Sequence, residues 1–230
     1  MAETRETAVT ATRTTDSTRD MHDTWGTPPP APRKGRFGRE LGYLLTGLPL
    51  GIAAFSTVLT MLVLGAVGLA LVVGASLLVA ALAVAGAFAR VERQRVAHVT
   101  GRPIPAPRYR ERRGSGIPRA LHALGDGQRW RDLAHALVAF PLRIVTFCFA
   151  VTWTVGGLGE LLYGAWSWSL PRDEGEEGLL DLMFGISSEA ADIAFNTAVG
   201  VVLLATAVPL LRGLTALQTA LARALLADRA

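Results

Sequence analysis

Residues 41–89 read LGYLLTGLPLGIAAFSTVLTMLVLGAVGLALVVGASLLVAALAVAGAFA, 49 positions without an aspartate, glutamate, lysine or arginine. As one α-helix at about 1.5 Å per residue this run would reach about 73 Å, against a hydrocarbon core of about 30 Å. One helix cannot use that length. The run therefore reads as a hairpin of two membrane spans, about 44–64 and 67–88, turning near Gly65, Ala66 and Gly68.

Two more apolar stretches follow. The first, 137–166, carries Arg143 and Glu160 with 16 uncharged residues between them, slightly too few to cross. The length is met if Arg143 snorkels to the inner surface and Glu160 sits at or just inside the outer one. The span is then about 142–166, with Tyr163, Trp166 and Trp168 as an aromatic belt. The fourth span, about 193–211, has Asn196 near one end and Pro209 near the other. Pro49, Pro141 and Pro209 fall inside helical stretches and are candidate hinges, because proline removes a helix hydrogen bond.

The rest of the composition agrees with a multi-pass membrane protein. The 230 residues are 50% hydrophobic, with mean hydropathy +0.35 and a pI near 10.0. Cys148 is the only cysteine, which excludes an intramolecular disulfide, and the four histidines are scattered without the spacing of a metal site. Of the 23 basic residues only Lys34 is lysine, a bias that suggests a GC-rich bacterial genome. Outside the spans, 22 of the 23 fall on the N-terminal arm, the connector 90–131, the tail or Arg143, and only Arg172 lies on the segment 168–192. The positive-inside rule then puts both termini in the cytoplasm of a cell (plasma) membrane protein. The segment 168–192 is an outer acidic loop, net −6 from seven acids and Arg172.

The polar segments lack apolar periodicity. Residues 1–35, with Pro28, Pro29, Pro30 and Pro32, are expected to be a disordered arm. The first apolar run starts at Leu41, too late for a secretory signal, so the first span is expected to be retained as an anchor. The connector starts as a basic helix over 90–98 and breaks at Gly101, Pro103, Pro105 and Pro107. It then presents Arg108, Arg110, Arg112 and Arg113, a cluster suited to anionic lipid at about 1 kcal/mol per charge. In the tail, Leu214, Leu217, Leu221 and Leu225 form a stripe on an amphipathic helix over 213–227, a candidate partner-binding face or an interfacial helix.

An internal repeat runs through the chain. An offset of 92 matches Leu45, Pro49, Leu50, Ile52, Phe55 and Thr60 with Leu137, Pro141, Leu142, Ile144, Phe147 and Thr152. An offset of 126 relates the exits, Phe88 and Val91 to Leu214 and Leu217. The fold class expected is an all-α membrane protein: four transmembrane helices arranged as two hairpins in a parallel repeat, with amphipathic helices on the cytoplasmic side.

Three stretches carry a family resemblance: Glu40-Leu-Gly-Tyr-Leu-Leu-Thr-Gly-Leu-Pro-Leu-Gly-Ile52; Trp130-Arg-Asp-Leu133 followed by Phe140-Pro-Leu142; and Arg212-Gly-Leu-Thr-Ala-Leu217 with Ala222-Arg-Ala-Leu-Leu226. In this order they resemble the actinobacterial "Putative sensor" domain family, over 36–228. The resemblance implies a four-helix membrane input module, in many relatives ahead of a histidine kinase, and it carries no catalytic motif. Glu92-Arg-Gln-Arg-Val-Ala97 is similar to the start of a phosphoacceptor helix, but its continuation is missing and no ATP-binding box is present. The output would be a separate histidine kinase, regulator or transporter.

No catalytic, cofactor-binding or metal-binding residue is assigned. There is no nucleophilic triad, HExxH or phosphate-binding glycine loop, and the basic segments lack a nucleic-acid-binding motif. The acidic run 173–181 lacks the ligand spacing and central glycine of a calcium loop. Glu160, Asp192 and Asn196 are the candidate sensing residues, a polar pocket opening outward, because ionisable groups inside a span are costly and often functional. Two function classes follow, a signal-input module with the bilayer and a separate cytoplasmic partner, or a small transporter or channel subunit. The hydroxyls of the first two spans are too few to line a pore, so transport would require a homo-oligomer.

Overall fold

The structure, a computed structural model, describes residues 35–70, 72–105, 107, 123–169, 185 and 188–227. The arm over 1–34, the arginine cluster 108–113 and the acidic run 173–181 lie outside the described residues. Helix α1 is Arg36–Val67, followed by a short 3-10 turn, Gly68–Ala70, and α2, Val72–Thr100. Helix α3, Gly127–Val151, passes through a π turn, Thr152–Gly156, into α4, Gly157–Leu161. Helix α5 is the single turn Tyr163–Trp166, and α6 is Glu189–Leu226. No strand occurs among the described residues. Four helical rods, 36–67, 73–100, 127–161 and 189–226, are long and apolar enough to cross a membrane.

The boundaries have local causes. The 49-residue run turns at Gly68, where a Cβ would lie 3.3 Å from Gly74 Cα, so the two chain directions pass backbone to backbone. Helix α2 stops at Gly101, whose φ of +69° a glycine adopts without strain. Asp126 caps α3, accepting from Gln128 N at 3.0 Å. Pro49, Pro141 and Pro209 all sit within continuous helices. The irregularity in the third rod is the π turn instead, where Trp153 Nε1 donates to Thr206 Oγ1 of α6 at 3.0 Å. The fourth span and the tail are one helix. Leu217 is half exposed and Leu214, Leu221 and Leu225 are intermediate, while the buried face carries Thr215, Gln218, Thr219, Ala222 and Leu226.

The rods form an antiparallel bundle in which α1 packs on α2 and α3, and α6 packs on α3 and α4. At one end α1 and α3 begin and α2 and α6 finish, joined by Tyr43–Glu92 and Arg131–Ala224 hydrogen bonds. This is the arginine-rich end. One apolar cluster there contains Leu44, Val96, Leu211 and Leu226, and a second joins Val58, Leu82, Ala85, Leu133 and Ala136. Phe55 and Phe140 stack between α1 and α3 with ring centroids 4.4 Å apart. Outward, Val63, Val73, Val155, Val201 and Val202 are more than half exposed, the distribution of a bundle whose solvent is lipid.

Burial recurs at the sequence offsets. Positions 40, 43, 44, 47, 51, 54 and 58 of α1 are buried, and so are 132, 135, 136, 139, 143, 146 and 150 of α3, each 92 later. On α2, positions 74, 81, 85, 89, 92, 93 and 96 are buried, and 126 later so are 200, 207, 211, 215, 218, 219 and 222 of α6. Two tight backbone contacts fall at these offsets as well. A Cβ on Gly74 would lie 2.4 Å from Leu69 N, and one on Gly200 would lie 2.3 Å from Leu161 N.

Neither contact leaves room for a side chain, and the obstacle is backbone. Gly200→Ala is expected to destabilise the bundle by about 1–3 kcal/mol through overpacking, whereas Gly159→Ala, which meets nothing within 4 Å, should leave it unchanged. Thermal unfolding of the two variants in detergent distinguishes them. Equal midpoints would mean that the close contact does not hold the second hairpin.

Candidate functional site

The densest polar cluster lies inside the arginine-rich end, centred on Glu92, which is 2% exposed. Three helices reach its carboxylate. The Tyr43 hydroxyl of α1 donates to Oε1 at 2.6 Å, while Arg95 Nη1 of α2 and Arg143 Nη2 of α3 each lie 2.8 Å from Oε2. Arg95 also donates from Nη2 to Tyr43 O at 2.7 Å and to Thr46 Oγ1 at 3.0 Å, with its guanidinium 4.7 Å from the Tyr43 ring centroid. Around this core His135, Asp132 and Gln218 are all at most 5% exposed.

Local sequence explains how Arg143 gets there. The snorkelling expected of it would turn the guanidinium outward, yet the side chain is 4% exposed and points into the bundle. Gly51 makes the space: a Cβ at that position would lie 2.9 Å from Arg143 Cδ. With an anionic partner available inside, an inward ion pair replaces the interfacial one. Gln218 of α6 completes the ring, its Nε2 donating to Thr146 Oγ1 while its Oε1 is buried without a partner. Glu92, His135, Arg143 and Gln218, with Ala139, Leu142 and Leu221, close around a narrow gap that has no room for a water molecule.

Glu92 and His135 stand beyond the apolar segments 67–88 and 142–166, on the polar extensions of α2 and α3. Burial alone would raise the Glu92 carboxyl, but Arg143, Arg95 and the Tyr43 hydroxyl outweigh it and hold the group below the usual carboxylate range. For His135 burial dominates. With Arg143 and Arg93 nearby it lowers the imidazole to about 4, against the smaller opposing pull of Glu92. The site thus holds a charged glutamate beside a neutral histidine.

The candidate sensing residues occupy the opposite end. Glu160 and Asp192 each bury one carboxylate oxygen without a hydrogen-bond partner. Asn196 Nδ2 donates to the backbone carbonyl of Asp192 at 2.9 Å, a local contact within α6. No hydrogen bond among the described residues joins the three side chains. Cys148 is exposed on the apolar surface. Among the described residues no group of three His, Cys, Asp or Glu side chains is arranged to hold a metal.

A family model described as "Putative sensor" matches residues 43–226, which takes in the first rod from Tyr43 on, the other three rods and the whole Glu92 cluster. The chain belongs to the Putative sensor family. Comparison with curated proteins and with solved structures finds no match. In this Putative sensor chain the matched segment opens at Tyr43, the phenol on Glu92, and closes at Leu226, whose carbonyl accepts from Arg93 Nη1 at 3.3 Å.

Sequence reasoning passed over this cluster because Glu92 stands in a basic stretch, RVERQRVAH over 90–98, that reads as a solvated juxtamembrane helix. A signal was nevertheless there. Extending the repeat past the apolar cores pairs Tyr43 with His135, Glu40 with Asp132 and Glu92 with Gln218, polar with polar at each.

Two predictions follow from the geometry. Arg143→Met leaves a buried carboxylate short of one cation and should lower stability by about 3–5 kcal/mol, read as a fall in the thermal midpoint in detergent. An unchanged midpoint would show that the ion pair contributes nothing to the fold. The second concerns pH. His135 takes up its proton far more readily unfolded, near 6.5, than folded, near 4, so stability should fall as pH drops from 6.5 to 4, by about 3 kcal/mol. The depressed Glu92 extends the loss below about pH 4.5. His135→Gln should flatten the curve between pH 6.5 and 4.5 while leaving the more acidic limb, and a curve identical to that of the parent would remove His135 from the account.

Proposed function

We propose that this chain is an integral membrane signal-input module that passes a stimulus from the bilayer or the outer face to a separate cytoplasmic partner. Membership of the Putative sensor family is the observation that carries the reading. The arrangement of polar groups supports it. Mid-span burial falls mostly on small apolar residues, Ala54, Val58, Ala81, Ala85, Ala150 and Ala207. Polarity is concentrated where four helix ends meet, the place from which a change in helix packing would be passed on.

In this reading both termini and the connector are cytoplasmic, in the plasma membrane, because the arginines crowd that end. The two hairpins are copies of one unit in parallel orientation, supported by burial that recurs at offsets of 92 and 126 and by the matched glycine contacts Gly74–Leu69 and Gly200–Leu161. A stimulus acts by preferring one packing of the hairpins over another. The partner is a histidine kinase, a regulator or a transporter, and it meets the exposed faces of the arginine-rich end.

Crosslinking from native membranes with a C-terminal tag tests the partner. Removing everything after Leu211 would delete Thr215, Gln218, Ala222 and Leu226 from the core, so substitutions of exposed residues are the cleaner probe. A kinase, regulator or transporter ATPase should co-purify and be lost with Leu217→Asp and Arg223→Glu, which leave the buried face intact. Recovery of the chain alone, together with vesicle flux abolished by Glu160→Ala, would replace this reading with transport.

A further inference from the structure

Three side chains converge on the last carbonyls of α6. Arg131 donates from Nη2 to Ala224 O at 2.6 Å and from Nη1 to Ala227 O at 3.3 Å. Gln128 Nε2 donates to Leu225 O at 3.4 Å, and Arg93 Nη1 to Leu226 O at 3.3 Å. The final carbonyls of a helix have no partner within it and carry the negative end of its dipole, so two guanidiniums and an amide suit them well.

The origins of these groups matter more than the cap itself. Arg93 comes from α2 in the first hairpin, and Gln128 and Arg131 come from α3 in the second. Gln128 Nε2 also donates to Asp132 Oδ1 at 3.1 Å, and that oxygen lies 3.8 Å from Arg93 Nη1. Adjacent residues of α2 therefore hold two links to the second hairpin: Glu92 binds Arg143, and Arg93 binds Asp132 and the end of α6. A shift of α2 against α3 that separates the first pair also disturbs the second.

The corresponding end of the first hairpin is built differently. The counterparts of Gln128 and Arg131, 92 residues earlier, are Arg36 and Arg39. Arg36 is engaged by Glu40 at 2.7 Å, and Arg39 Nε is buried without a partner. The end of α2 is finished instead by its own residues, Gly101 N donating to Ala97 O at 2.9 Å and Thr100 Oγ1 donating to Val96 O at 2.7 Å. Among the described residues, the three-residue cap is found on α6 and not on α2.

We propose that Arg93, Gln128 and Arg131 form a clasp on the C-terminal end of α6, and that separation of Glu92 from Arg143 opens it, so that movement between the hairpins emerges as release of the last turn of α6. Its purpose rests on the signal-input reading, whereas its geometry does not. The clasp converts a rearrangement inside the bundle into order or disorder at the one helix end that it holds from both hairpins.

Hydrogen exchange on the full chain in lipid nanodiscs tests the coupling, comparing a peptide over 220–230 with one from the middle of α1. Arg131→Gln, within the clasp, should raise exchange at the end of α6 at least tenfold. Glu92→Gln, which touches none of the capped carbonyls, should do the same while the α1 peptide keeps its protection. Exposed Arg212→Gln should change neither. Wild-type protection at 220–230 in Glu92→Gln, with Arg131→Gln raised, would overturn the proposal and leave a purely local cap. Should Glu92→Gln expose α1 as well, Arg143→Lys becomes the deciding variant, because it keeps the charge but shortens the reach. Protection unchanged at 220–230 in that folded variant would likewise overturn the coupling. The experiment uses neither partner nor stimulus, so its outcome and that of the crosslinking experiment are independent.

Discussion

A carboxylate at 2% exposure persists as an anion only if the groups around it replace the water it has lost. Glu92 is surrounded by a phenol, two guanidiniums and their shared hydrogen bonds, drawn from α1, α2 and α3. This requirement fixes much else at the arginine-rich end. Arg143 runs through the space a side chain at Gly51 would take, and Arg95 is steered by the Tyr43 ring and carbonyl. Buried ion pairs are weak contributors to net stability compared with apolar packing, but breaking one is costly, so such a group favours a single arrangement of helices over near alternatives.

The remainder of the bundle is held in another way. Between lipid-bathed helices there is little hydrophobic drive to associate, and close packing of small residues takes its place. Gly200 brings α6 to backbone contact with α4, Gly74 closes against the turn at Gly68 and Leu69, and alanines occupy the mid-span interfaces. Hairpin meets hairpin both through the apolar packing of α1 on α3, with Phe55 stacked on Phe140, and through ion pairs at the arginine-rich end. A molecule built this way has its strongest directional constraint where its helix ends gather.

The four long apolar helices were legible because the constraint behind them is crude. Uncharged length against bilayer thickness needs no knowledge of packing, and it located the turn at Gly68 within a few residues. Apolar positions and prolines also recur at readable offsets, and buried positions recur with them at 92 and 126. The polar cluster was not. Whether Arg143 points to a headgroup or to Glu92 depends on a missing side chain at Gly51, 92 positions away, and on rotamers that helical periodicity does not encode. The same holds for the tail, where the leucine stripe suggested a separate amphipathic helix. The structure buries the neighbouring face of Thr215, Gln218 and Ala222, because α6 runs through Pro209 without a break and those smaller residues fit against α3 and α2.

Where two similar hairpins differ, the differences are informative about use. Equivalent positions hold Tyr43 and His135, Glu92 and Gln218, Gly51 and Arg143, so the first hairpin supplies the negative charge and the notch, and the second supplies the cation that crosses between them. A pair of identical hairpins would place two glutamates, or two arginines, close to the same axis and repel. Setting Arg143 against Glu92, and Asp132 against Arg93, puts opposite charges face to face across the two hairpins. The same arrangement leaves one carboxylate to be satisfied by both halves at once, so no change in the packing of either hairpin can leave the other's polar interior untouched.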